Sequence, residues 1–264
     1  MKKRFILALI GGLIFATSCQ YQEISESGDT SSYQECKLKN ITIEDEQNKG
    51  VIHLKYSGDT LKVIDIINPG GDNQQSIFYY NEKGKLDQII YNDTLLKEEF
   101  VYDKEKLTAI KGTGKIITRE FEYDKNQRII EQRNYFGDDL FSTMKFTYDE
   151  LNNPSESKVF DKTGNPIVTL YFDYDDKINP YQFTGFFANT AEMMFGYPVG
   201  NDDNNLVGIY TKYDKNIGVI DGQKEKGTID TAKIYRSYNE YGYPTEVRSK
   251  DVHVIHGYDC IDKD

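Results

Sequence analysis

Three histidines and three cysteines are the only imidazole and thiol groups in this 264-residue chain, so metal and nucleophile chemistry can be weighed residue by residue. His253 and His256 stand three apart; in an extended segment they face opposite sides and do not share one metal ion. His-Glu-x-x-His, Gly-x-Ser-x-Gly and Walker-type loops are absent, which removes zinc peptidase, α/β-hydrolase and phosphate-loop readings and leaves no cofactor implied. A glycosidase pair could sit anywhere among 43 acidic residues. Acids such as Asp87, Glu122 and Asp173, however, alternate with apolar residues and need only solvent. No catalytic residue is assigned, and a glycan-directed hydrolase ranks third among the functions considered.

Sugar recognition has more support. Carbohydrate rings stack on aromatic faces, and the chain holds 21 Tyr and 14 Phe, although no Trp. Tyr79, Tyr91, Tyr135, Tyr171, Tyr241 and Tyr243 fall outside the inward positions of the repeat described next, and Tyr241 and Tyr243 are the candidate ligand contacts. The competing reading is that such tyrosines steady cross-strand neighbours. Gly200-Asn201-Asp202-Asp203-Asn204-Asn205 offers oxygen ligands for calcium, Asp202 and Asp203 first among them. It lacks the EF-hand spacing, fixed glycine and terminal glutamate, so a solvated turn is preferred and no metal is assigned.

The elements carrying these residues repeat. Phe78-Tyr79-Tyr80-Asn81, Phe100-Val101-Tyr102-Asp103, Phe121-Glu122-Tyr123-Asp124, Phe146-Thr147-Tyr148-Asp149 and Phe172-Asp173-Tyr174-Asp175 share the pattern Phe-x-Tyr-Asp/Asn. With looser copies ending at Tyr56, Tyr213 and Tyr238, the second Tyr recurs in steps of 24, 22, 21, 25, 26, 39 and 25 residues. Phe and Tyr two apart point to one face of a strand, and the Asp or Asn that follows opens a turn. An apolar position then returns at Leu86, Leu107 or Ile129, so each unit is a β-hairpin. Eight units give roughly sixteen antiparallel strands, too many for one flat open sheet. The expected fold is all-β: a tandem hairpin meander curled into a barrel-like or half-barrel shell. Charges spread through the strands and loops, for example Glu98-Glu99-Phe100, argue against a membrane-spanning barrel.

One interruption breaks the rhythm, an insertion at about 180–208. Thr190 is placed to cap a short helix over Ala191 to Phe195, whose Met and Phe side chains would plug the open end of the shell or, as the alternative, form a binding surface.

The amino terminus supplies an address. Lys2, Lys3 and Arg4 precede the apolar run Phe5 to Phe15, which ends at Ala16-Thr17-Ser18-Cys19. This is the layout of a cleaved signal peptide over residues 1–18, and its end resembles the lipobox of bacterial lipoproteins. That resemblance implies lipidation of Cys19, leaving residues 19–35 as a polar tether and 36–264 as a single repeat domain. With Cys19 spent, Cys36 and Cys260 remain, either as a disulfide joining first and last strands or as two free thiols. The net charge of −11 disfavours nucleic acid as a partner.

The units Tyr-Asp-x-x-x-Arg/Lys-Leu/Ile, clearest at Tyr123-Asp124-Lys125-Asn126-Gln127-Arg128-Ile129, resemble the YD repeats of large bacterial surface proteins. Together with the lipobox and Asn179-Pro180-Tyr181, they are similar to a family of gut-Bacteroidetes lipoproteins, domain of unknown function 4595, described as porin-like in fold. The resemblance implies architecture and envelope location and brings no catalytic residues. Gln20 after Cys19 is not the aspartate that retains some lipoproteins at the inner membrane, so outer-membrane anchoring is expected. The resulting expectation is an acidic, lipid-anchored, non-catalytic binding or interaction module for a glycan or an envelope protein, with a ligand-free scaffold as the alternative.

Overall fold

The computed structural model describes residues 14–16, 35–44, 49–58, 60–68, 71, 73–92, 96–113, 117–178, 186–188, 204–219, 222–249 and 252–261. Seventeen strands make one antiparallel barrel: β1 (Glu35–Glu44), β2 (Lys49–Ser57), β3 (Thr60–Ile67), β4 (Gln74–Tyr80), β5 (Leu86–Tyr91), β6 (Lys97–Asp103), β7 (Lys106–Gly112), β8 (Thr118–Tyr123), β9 (Ile129–Phe136), β10 (Asp139–Tyr148), β11 (Pro154–Asp161), β12 (Pro166–Ile178), β13 (Asn204–Tyr213), β14 (Ile229–Lys233), β15 (Tyr235–Tyr238), β16 (Pro244–Ser249) and β17 (Val252–Ile261). Neighbours in sequence pair from β1 through β14, and β15 to β17 continue the meander until β17 meets β1. The barrel closes at one seam, where 229–238 is a single extended stretch. Its first half pairs with β13 and its second half with β16.

The repeat explains this local structure. Asn81 Oδ1 accepts from the backbone N–H of Lys83 and Lys85 at 3.0 Å each, and Asp124 and Asp149 do the same for the second and fourth residues after them. Two further openers, Asp161 and Asn239, behave identically. These side chains stand in for the donors and acceptors a tight turn leaves unpaired.

Inside, one layer holds Leu54, Phe78, Phe100, Phe121, Phe146 and Phe172, all buried. The next layer is a ladder of tyrosines, each donating its hydroxyl to a carbonyl of the preceding unit. Tyr56 bonds Leu38 O, Tyr80 bonds Leu61 O and Tyr102 bonds Leu86 O at 2.8 Å, while Tyr123 bonds Leu107 O and Tyr148 bonds Ile129 O at 2.6 Å. These carbonyls lie where strand bulges interrupt the ladder, so the phenol supplies the missing donor. Lys62, Lys85, Lys106 and Arg128 lie over the rings of Tyr80, Tyr102, Tyr123 and Tyr148 at 4.7 to 5.0 Å.

The outer face carries charges in mid-strand, including Arg133–Glu122 at 2.5 Å, Lys158–Glu156 at 3.1 Å and Lys145–Glu131 at 3.5 Å. Apolar inside and charged outside is the reverse of a barrel that faces lipid. No helix among the described residues is long and apolar enough to cross a membrane.

The expected insertion needs correcting. Residues 204–208 belong to β13, and the described part of the interruption, Phe186–Ala188, is a strand paired antiparallel with Ile14–Ala16. Strand pairing of β12 and β13 as far as Ile178 and Asn204 draws these residues into the barrel and shortens the interruption at its carboxyl side. The helix expected over Ala191–Phe195 lies outside the described residues, as do Cys19, Asp202 and Asp203.

Candidate functional site

Among the described residues, a continuous row of polar side chains lies inside the barrel at the end opposite the tyrosine ladder. Strand alternation puts the residue two before each repeat Phe on the inward face: Ser76 in β4, Glu98 in β6 and Arg119 in β8. Glu98 is 1% exposed and Arg119 4%. Arg119 Nη2 donates to Glu98 Oε1, and the Tyr91 hydroxyl donates to Glu98 Oε2 at 2.9 Å. Directly opposite Glu98 stands Gly112, with no side chain to separate the pair. Burial pushes the Glu98 carboxyl above its usual range, against the pull of Arg119 and Tyr91.

Opposite Arg119 stands Asn134, whose Nδ2 donates to Ser142 Oγ at 3.0 Å and whose Oδ1 accepts from Gln132 Nε2 at 2.7 Å. The result is a polar row across β5 to β10. It is sealed, and both Glu98 oxygens are engaged, so the carboxyl is not available as base or nucleophile to a molecule in solution.

The carboxyl-terminal units alter the repeat. Arg236 and His256 take the position that Phe holds elsewhere. Arg236 Nε and Nη2 donate to Leu206 O at 3.1 and 2.8 Å, across the seam. Beside Tyr258, 6.3 Å between ring centroids, His256 is buried. Burial, with the Arg236 charge adding to it, pushes its imidazole down to about 3, so the ring is neutral in the fold at neutral pH. Two tyrosine hydroxyls here meet carboxylates instead of carbonyls: Tyr213 donates to Asp230 Oδ2 at 3.1 Å and Tyr238 donates to Asp175 Oδ2. Asp175 also accepts from Asn205 N at 3.2 Å, tying β12, β13 and β15 together. Cys36 and Cys260 are directly opposite each other in β1 and β17 and are joined by a disulfide.

Outside the seam lies the candidate site. Tyr171 of β12 and Tyr210 of β13 are register partners on the outer face, and Thr231 of β14 follows Tyr210. One step along, Gly208 stands between Asp173 and Lys233, its register partners on either side. The Tyr210 hydroxyl donates to Asp173 Oδ2 at 2.7 Å, and this bond to an anion raises the Tyr210 phenol above its ordinary value. Tyr235, two residues beyond Lys233 on the same face, is 65% exposed. Gly208 is buried beneath Asp173: a Cβ at 208 would stand 3.2 Å from Asp173 Oδ2. The patch therefore gathers three tyrosine side chains, one carboxylate and one ammonium on the outer face.

The residues singled out from sequence fall apart in space. Tyr241, 37% exposed, occupies the second position after the turn opener Asn239. Tyr243 is 7% exposed, with its ring 5.5 Å from Tyr258, and is no surface contact. After this opener the fourth residue turns into the barrel, as Asn153 does after Asp149, whereas Asn165 after Asp161 stays exposed. Tyr91 is likewise corrected, because a bulge in the neighbouring β4–β5 pairing turns it inward to Glu98. Alternation alone would have found Glu98 and Arg119, charged residues at inward positions. The pairing of Tyr171 with Tyr210 spans the interruption and has no local signal. Among the described residues, no group of three His, Cys, Asp or Glu side chains is placed to hold a metal.

No family model matches the chain, and no curated protein is similar to it. Among solved structures it is similar to a porin-like protein from Bacteroides uniformis, with 9% identity and a TM-score of 0.41, covering 84% of this chain and 96% of that one. It is also similar to TcdB2-TccC3 without its hypervariable C-terminal region, with 13% identity and a TM-score of 0.33, covering 90% of this chain and 15% of that one. The TcdB2-TccC3-TEV structure gives 12% identity and a TM-score of 0.32, over 89% of this chain and 13% of that one.

Proposed function

We propose that this chain is a non-catalytic binding module of the cell envelope, held to the outer membrane by a lipid on Cys19, that recognises its partner with its outer surface. The observation that carries this reading is the filled interior. The Phe layer, the tyrosine ladder and the polar row occupy the inside of the barrel, so recognition falls to the outside. Membership of the gut-Bacteroidetes lipoprotein family belongs to the same proposal, resting on the lipobox and the Phe-x-Tyr-Asp units.

The test is palmitate labelling of cells expressing the full chain or Cys19→Ala, followed by thermal unfolding of purified protein with glycans, peptidoglycan fragments and calcium. The expected outcome is a label that disappears in Cys19→Ala, and a midpoint raised by a glycan class without release of product sugars. Label retained in the variant overturns the anchor, and released sugar overturns the non-catalytic reading.

A further inference from the structure

We infer that the outer-face patch around Gly208 is a binding site for an uncharged glycan. The inference deepens the binding-module reading and rests on it. A sugar chain needs aromatic side chains to pack on and hydrogen-bonding groups at their edges. Tyr171 and Tyr210, opposite each other on β12 and β13, set two rings about 5 Å apart at their Cβ atoms. Tyr235 extends the platform by about four residues along the neighbouring strand, or about 14 Å, more than one sugar ring. Between them Asp173, packed over the buried Gly208, is an acceptor on one side and Lys233 a donor on the other.

The Tyr210 ring is held in place by its bond to Asp173, which reduces the ordering cost of binding. Charge selects the ligand. Asp173 and Lys233 cancel, the flanking Lys212–Asp214 and Lys158–Glu156 pairs cancel too, and the chain as a whole carries −11. A polyanion gains nothing here and meets a repulsive field.

The test uses the full chain and four uncharged hexasaccharides, cello-, manno-, malto- and xylohexaose, with heparin as the polyanion, measured by isothermal titration. Tyr171→Ala and Tyr235→Ala alter the patch, and Tyr79→Ala, an exposed tyrosine on β4, is the control. One hexaose is expected to bind with an affinity unchanged between low and high salt. Each patch variant should weaken it at least tenfold, Tyr79→Ala should not, and heparin should not bind.

If a hexaose binds and the patch variants leave it unchanged, the site assignment falls while the binding-module reading stands. If no hexaose binds to protein with a native thermal transition, the glycan assignment falls, and the module reading then depends on a protein partner. Because Tyr171 and Tyr235 project outward, circular dichroism of each variant separates lost binding from lost fold.

Discussion

The wall from β2 to β11 and the seam from β12 to β16 are built on the same hairpin unit yet are held differently. In the wall, each repeat tyrosine donates to a backbone carbonyl of the preceding unit, an acceptor that every residue type provides. At the seam the register no longer supplies that carbonyl. Asp175 and Asp230 take its place for Tyr238 and Tyr213, and Arg236 reaches across to Leu206 O. A repeat can therefore be continued by backbone geometry, whereas closing it requires specific side chains. Closure is also where ionisable groups collect and where the outer face acquires its aromatic patch.

The largest expected effect lies in the wall. Arg119→Met leaves Glu98 buried without its cation and should cost about 3–5 kcal/mol in urea unfolding. Glu98→Gln with Arg119→Met should recover much of that loss, and a double variant no better than the single would show that packing, not the uncompensated charge, dominates.

Cys36→Ser with Cys260→Ser probes closure next, with an expected loss of about 2–5 kcal/mol because the bridge spans 224 residues. An unchanged unfolding midpoint would show that strand pairing of β1 with β17 suffices.

His256 supplies the third test. Its folded pKa of about 3 lies below the unfolded value of 6.5, so between those limits the unfolded chain binds more protons. Stability should then fall as pH drops below 6.5, by up to about 1.4 kcal/mol per pH unit. His256→Phe, which restores the wall's residue at that position, should flatten the slope from pH 6.5 to 4. Glu98 acts with the opposite sign: its raised pKa favours the folded state at low pH and loses that contribution as pH rises.

The smallest effect compares hydroxyls. Tyr123→Phe strands the Leu107 carbonyl and should cost about 1–2 kcal/mol. Tyr213→Phe releases Asp230, which Lys224 still holds at 2.7 Å, and should cost less than 1 kcal/mol. Equal losses would erase the distinction between the regions.

These contrasts mark what the sequence could disclose. Phe-x-Tyr-Asp is written locally, since alternation orients the ring pair and Asp or Asn opens the next turn. The hairpins and their inward Leu86, Leu107 and Ile129 follow from those residues alone. The seam, the Tyr171–Tyr210 pairing and the burial of Tyr243 depend on which distant strands meet and on where bulges shift the register. The polar row is intermediate: its residues sit at positions alternation marks as inward, but nothing local says that Glu98 and Arg119 reach each other across β7.

The pairing of β1 with β17 also dictates an order of events. Every hairpin from β2 to β11 finds its partner within a few dozen residues, while β1 finds its second neighbour only 224 residues later, at the level of Cys36 and Cys260. A chain emerging amino terminus first must keep one edge of β1 open until almost all of it has been delivered. Truncation at the far end would therefore expose the first strand along with removing the last.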